Sequence, residues 1–160
     1  MSPLHYQTPG AWLDAVLDDF DTFLRDHASA EKKAAGMAVN MISHYPDRRT
    51  LVSRMSDLAV EEMTHYREVI RLLHERQLHP SGDTKDSYVA ALRRAIRKGP
   101  DFYLLDQLLI GGIIEARGAE RFALVADALE DGALKKFYLS IARPHRLHAA
   151  VARDLEALRQ

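Results

Sequence analysis

Apolar residues recur every three or four positions through long stretches filled with Ala, Leu, Arg, Glu and Lys, the spacing and composition of amphipathic helices. Nowhere do apolar and polar residues alternate for long enough to predict a strand. Turn signals divide the pattern. Thr8-Pro9 reads as an N-cap followed by proline at the first helical position. A first long helix runs from there to about Ser43, with room for a break near Asp18–Asp21. His44-Tyr45-Pro46-Asp47 predicts a turn, with Asp47 capping a second long helix from about Arg48 to Arg76. His79-Pro80-Ser81-Gly82-Asp83 predicts a loop. A shorter basic helix, Ser87 to Lys98, stops at Gly99-Pro100. A third long helix spans about Asp101 to Leu129, Asp131-Gly132 marks a turn, and a fourth runs from about Ala133 to the end. Four long helices with a short one in the crossover between the second and third predict an all-α four-helix bundle, one domain over residues 1–160.

Ionisable residues interrupt the apolar stripe of every long helix. The first stripe is Phe20, Leu24, His27, Glu31, Ala34 or Ala35, Ala38, Met41; the second is Leu51, Met55, Leu58, Glu62, His65, Val69, Leu72. The third is Leu104, Leu108, Gly111, Glu115, Gly118 or Ala119, Phe122, and the fourth is Leu134, Tyr138, Ile141, His145, His148, Ala152, Leu155. Burying even a neutral polar group without a partner costs about 2–7 kcal/mol, and a charge costs more. A cation shared among the four helices would offset that cost. Glu62 and His65 are three apart and face the same way on a helix, so carboxylate and imidazole can bind one ion. Glu31 and Glu62 are 31 residues apart and Glu115 and His145 are 30 apart, a repeated layout. A Glu from each of two helices, with Glu-x-x-His from the other two, is the pattern of ferritin-like di-iron and di-manganese proteins. Glu61 and Glu120 fall off the stripes, Glu120 by ~140° from Glu115 at ~100° per residue, and are read as solvent-facing or supporting residues.

Composition narrows the picture further. The chain has 160 residues, 47% hydrophobic and 28% charged, as expected of a soluble globular protein. No apolar run approaches the ~20 residues of a membrane span. The N-terminus lacks the layout of a signal peptide, so a cytoplasmic location is expected. No cysteine is present, which excludes disulfides, thiolate ligands and a rubredoxin-type centre within the chain. A net charge of −1 gives no global attraction to nucleic acid. Arg93, Arg94, Arg97 and Lys98 form a local basic cluster, either a solvated face or a phosphate contact. His27, one turn from Glu31, is a candidate supporting group. His145 and His148 are ligands or ordinary core histidines. Gly111 and Gly112 allow either close helix packing or room for a substrate.

Several runs together resemble the MiaE family of tRNA hydroxylases. They are Thr8-Pro9-Gly10-Ala11-Trp12, Ala30-Glu31-Lys32-Lys33-Ala34-Ala35, Glu61-Glu62-Met63-Thr64-His65, Ala91-Leu92-Arg93-Arg94 and Ile114-Glu115-Ala116-Arg117-Gly118-Ala119-Glu120-Arg121-Phe122. The likeness covers roughly residues 8–143. It implies a ferritin-like non-haem di-iron monooxygenase that uses O2 to hydroxylate the isopentenyl side chain of a 2-methylthio-isopentenyl-adenosine next to the tRNA anticodon. It further implies Glu31, Glu62, His65, Glu115 and His148 as iron ligands and catalytic residues, two iron ions, tRNA as partner and an external electron donor in a separate reductase.

The fourth helix departs from the family pattern. Pro144-His145-Arg146-Leu147-His148 places His145 where a second Glu-x-x-His would supply a carboxylate. Imidazole ligates iron but is neutral and does not bridge two ions, so three carboxylates would stand where the family offers four. Weaker or uneven loading of the second metal is expected, and zinc or manganese also suit such donors. Pro144 removes a helix hydrogen bond just before the site. Two other readings follow: a ferritin-like ferroxidase or peroxidase, and a non-catalytic member that binds tRNA or a partner.

Overall fold

The structure, a computed structural model, describes residues 4–142. Among them are six helices and no strand: α1 (Gly10–Asp18), α2 (Phe20–His44), α3 (Arg49–Glu75), α4 (Ser87–Arg94), α5 (Pro100–Ala128) and α6 (Ala133–Ile141). Among the described residues, no helix is long and apolar enough to cross a membrane. The chain forms two compact units. One is Asp14–Thr84; the other joins the chain before Asp14 to the chain after Thr84.

The first long segment breaks at Asp19, whose carboxylate accepts from Thr22 N–H and caps α2. In the Asp14–Thr84 unit α2 and α3 pack as a helical hairpin. Leu24, Ala28, Ala35, Ala38 and Met41 of α2 are buried with Leu51, Met55, Leu58, Val69 and Leu73 of α3. Three alanines on the α2 face let the backbones approach closely. Leu73, not Leu72, takes the last core position. A stripe counted at 3.5 residues per turn lags a straight helix by ~20° per heptad, and three heptads past Leu51 the lag of ~60° leaves Leu73 nearer the line of the stripe than Leu72. Asp47 does not cap α3; Arg48 stands at the N-cap and supplies no side-chain bond. At the other end Gln77 adopts φ 59°, with Leu78 N–H bonded to Leu73 C=O and Gln77 N–H to His74 C=O. This Schellman closure stops α3 and starts the loop. Four α2 side chains then fasten that loop: Arg25 to His79 C=O, Ser29 and Lys32 to Asp83, and Lys33 to Thr84 C=O.

In the second unit α5 packs against α6 and α4 against α5. Leu104, Leu108, Ile110, Val125, Ala126, Tyr138 and Ile141 are buried, and the Tyr138 ring meets Phe137 edge-on at 5.1 Å and Phe122 at 5.7 Å. Asp86 caps α4 through Tyr88 and Val89 N–H. The helix ends at Arg94, four residues before Lys98. Arg97 N–H is bonded to Asp106 Oδ2 instead of continuing the ladder, and Ala95 N–H closes a tighter bond to Leu92 C=O. Gly99 links α4 to α5 at φ 114°, a conformation that favours glycine, and Pro100 opens α5. Thr8 does not cap α1. Its N–H and hydroxyl donate to the two oxygens of Glu120, at 3.0 and 2.8 Å, and the helix begins at Gly10.

Candidate metal centre

Within the α2–α3 hairpin the interruptions of the two apolar stripes meet. Glu31 of α2 and Glu62 and His65 of α3 each present a donor atom, all within 4.8 Å of one another. Glu31 is 5% exposed and Glu62 6%. The His65 side chain is 15% exposed, with Nδ1 at 3.6 Å from Glu31 Oε2. The other Glu31 oxygen, Oε1, lies 2.7 Å from Nε2 of the buried His27. The apolar positions before and after it on the same helices are buried: Leu24, Ala28 and Ala35 on α2, Leu58 and Val69 on α3.

Burial alone would raise the Glu31 carboxyl. Hydrogen bonds from His27, His65 and Glu62, and the charge of His27, outweigh it and hold Glu31 well below the usual carboxylate range. Two carboxyl groups close enough to share a hydrogen bond inside a helix pair repel when both are ionised, unless a proton or a cation lies between them. Two carboxylates and an imidazole are the donors that first-row divalent ions take, so the residues fit a bound metal.

Glu115 belongs to α5, in the second unit, partly buried with its Oε2 sealed from solvent. His145 and His148, with Pro144, lie outside the described residues. Glu61 is exposed, and Glu120 holds Thr8. Arg93 and Arg94 are exposed on the last turn of α4, and Lys98 is exposed beyond it. Arg97 is engaged by Asp106, its Nε and Nη2 bonding the carboxylate at 3.0 and 2.7 Å, while the guanidinium stacks over Phe102 at 4.2 Å.

Sequence reasoning missed Asp106, although a carboxylate within Leu104-Leu105-Asp106-Gln107-Leu108 is the kind of interruption that exposed the metal ligands. It also missed two stacks along α5. Arg117 covers the Tyr88 ring at 3.9 Å, and Arg121 covers Trp12 at 4.5 Å. Burial, and then the neighbouring Arg117 charge, hold Arg121 below its usual range. Arginine four residues after arginine on one helix, with aromatics in the segments before it, was the available signal.

Comparison with known proteins agrees with this architecture. The family model described as tRNA-(MS2IO6A)-hydroxylase (MiaE) matches residues 1–152. A tRNA 2-(methylsulfanyl)-N(6)-isopentenyladenosine(37) hydroxylase of Pseudomonas putida strain KT2440 is 36% identical over 95% of this chain and 80% of its own length. A protein of the same description from Salmonella typhimurium strain LT2 is 27% identical over 91% of this chain and 72% of its own. A solved structure described as Protein 43 with aldehyde deformylating oxygenase activity, from Synechococcus, superposes with a TM-score of 0.84 at 34% identity. It covers 97% of this chain and 84% of that one. The fold is therefore all-α and ferritin-like. Matched by the family model along nearly its whole length, and by relatives of one description at up to 36% identity, the chain belongs to the MiaE family.

Proposed function

We propose that this protein is an O2-dependent, non-haem di-iron monooxygenase that hydroxylates the isopentenyl group of 2-(methylsulfanyl)-N6-isopentenyladenosine at position 37 of tRNA. The observation that carries the reading is the buried Glu31–Glu62–His65 cluster in a chain of this family. Glu31, Glu62 and His65 would hold one iron ion, and Glu115, His145 and His148 are the proposed ligands of a second. Bound iron would supply the reduction of O2 and the oxidising power that an unactivated C–H bond requires. The residues of the chain do the rest. Glu31 stays ionised inside the hairpin, ready to neutralise a cation without first losing a proton. The buried Leu24, Leu58 and Val69 along the same helices would limit water at the cluster. Electrons come from a separate reductase, since no cysteine-ligated centre is available within the chain. The substrate base is taken from its single-stranded loop, where bases can be splayed out. Arg93, Arg94 and Lys98, with Arg97 tied to Asp106, are the proposed phosphate contacts, and the working compartment is the cytoplasm.

His145 offers imidazole where the family resemblance places a carboxylate, so the second ion is held less tightly than the first. Equal filling of both sites at limiting iron would remove that part of the reading. The whole proposal is tested on anaerobically iron-loaded protein, given O2, a reductase and tRNA bearing the isopentenyl modification. The expected result is iron on the chain and a hydroxylated nucleoside in the tRNA digest. Iron oxidation or peroxide turnover with no change in the tRNA would favour the ferroxidase or peroxidase reading instead.

A further inference from the structure

We infer that His27 is a positioning residue for the metal centre: its Nε2–H engages Glu31 Oε1 and so presents Oε2 to the metal. The inference rests on the metal-binding reading of the cluster. Its geometry is independent of which ion is bound. His27 sits one helical turn before Glu31 on the same face, and its side chain is fully buried. The 2.7 Å contact reaches Oε1, while Oε2 faces Nδ1 of His65 across the hairpin at 3.6 Å. The two oxygens are thus assigned to opposite sides, one to the interior of α2 and one to α3. A metal-bound Glu31 carboxylate carries no proton and can only accept, so the proton in the short contact is carried by His27 Nε2. The Phe23 ring lies against the imidazole, 6.0 Å between centroids, and limits its swing.

Two consequences follow. A hydrogen bond to one oxygen of a carboxylate weakens that oxygen as a donor and favours binding through the other. The hydrogen bond also holds the donor atom in place before metal arrives, which reduces the cost of ordering it on binding. Outer partners of this kind typically contribute about 10- to 100-fold in metal affinity.

The test is Co(II) titration of the full metal-free chain, followed by its visible absorption, in wild type, His27→Gln, His27→Leu and His27→Asn. The Gln amide nitrogen reaches about where Nε2 sits; Leu has no donor, and Asn stops short. Wild type and His27→Gln are expected to bind Co(II) with similar affinity and the same spectrum. His27→Leu and His27→Asn are expected to bind about 10- to 100-fold more weakly, with a changed spectrum. Should His27→Leu fail to fold, judged by circular dichroism, His27→Asn against His27→Gln decides. Folded His27→Asn binding like wild type overturns the role, as does His27→Gln binding as weakly as His27→Asn. If wild type binds no Co(II), the metal-site reading itself fails and this role falls with it. Affinity and spectrum are read without turnover, so they separate positioning from a role in folding.

Discussion

The two units spend their ionisable residues differently. In the α2–α3 hairpin, Glu31, Glu62, His65 and His27 turn inward, and two carboxyl groups are held close together in an apolar surround. In the unit built on α4, α5 and α6, Glu115 apart, charges are matched locally by ion pairs, hydrogen bonds or ring stacks. Asp106 is matched to Arg97, Glu120 to Thr8, Arg117 to Tyr88 and Asp86, and Arg121 to Trp12. The second set needs nothing from outside the chain and secures segments that have no large core of their own. The first lowers its energy most when a cation arrives. Clustering like charge in a low dielectric works against stability, so a set of this kind points to function where locally matched pairs point to architecture.

Replacing a carboxylate of the inward set should break the comparison most sharply. Glu62→Gln keeps the shape of the side chain and removes the charge. Hydroxylated nucleoside should fall at least about 100-fold, beyond the ~10–100-fold typical when only an outer partner of a metal site is lost. Iron per chain should fall with it. The metal-free variant should melt no lower than wild type, because the Gln amide keeps a donor for Glu31 and cannot ionise beside it. Retained activity at wild-type iron content would show that Glu62 is not a ligand.

An outward residue should behave in the opposite way. Trp12→Ala removes the ring beneath Arg121 and should cost about 2–3 kcal/mol, of which ~1–2 is the stack and the rest lost ring burial. Urea unfolding followed by circular dichroism would measure it. Metal bound per folded chain should not change. Loss of metal in a fully folded Trp12→Ala protein would erase the distinction between the two units.

How legible each unit was in the sequence follows from the same contrast. The helices were readable because their apolar spacing is set by the chain's own geometry, and Glu62-x-x-His65 was readable because residues three apart must share a face. The joints were not. Thr8 looked like a cap by its place before proline, yet its hydroxyl reaches Glu120, 112 residues away in sequence. Lys98 looked like the end of a helix because Gly99-Pro100 follows, yet Asp106 takes the Arg97 N–H and ends α4 at Arg94. Such contacts depend on which segments meet in space, and local pattern carries no record of that. His27 was visible as a neighbour of Glu31, but not which oxygen it would engage.

Smaller effects sharpen the architectural side. Glu120→Gln leaves one acceptor oxygen for two Thr8 donors and should cost about 1 kcal/mol, one net hydrogen bond. A loss of several kcal/mol would mean that Glu120 supports more than the start of α1. The same urea unfolding measures it.

The weakest of these effects should come from the Arg97–Asp106 pair, because half of the Arg97 side chain is exposed and solvent screens the attraction. It is also the one whose pH dependence has a clear sign. Hydrogen bonds from the Arg97 guanidinium and its backbone N–H bring the Asp106 carboxyl from the usual 3.8 down to about 2. A carboxyl depressed on folding contributes stability that is fully present above its unfolded value and is lost as pH falls through its folded one. The difference in stability between wild type and Asp106→Asn should therefore be constant above pH ~4 and shrink between about 4 and 2. Other carboxylates titrate over the same range, but they are common to both proteins and cancel in the difference. Carbon-detected NMR of the Asp106 carboxyl gives a direct check, with a midpoint well below that of an exposed aspartate. A midpoint near 3.8 would mean that the three bonds to Arg97 do not persist in solution, and that α4 owes its early stop to something else.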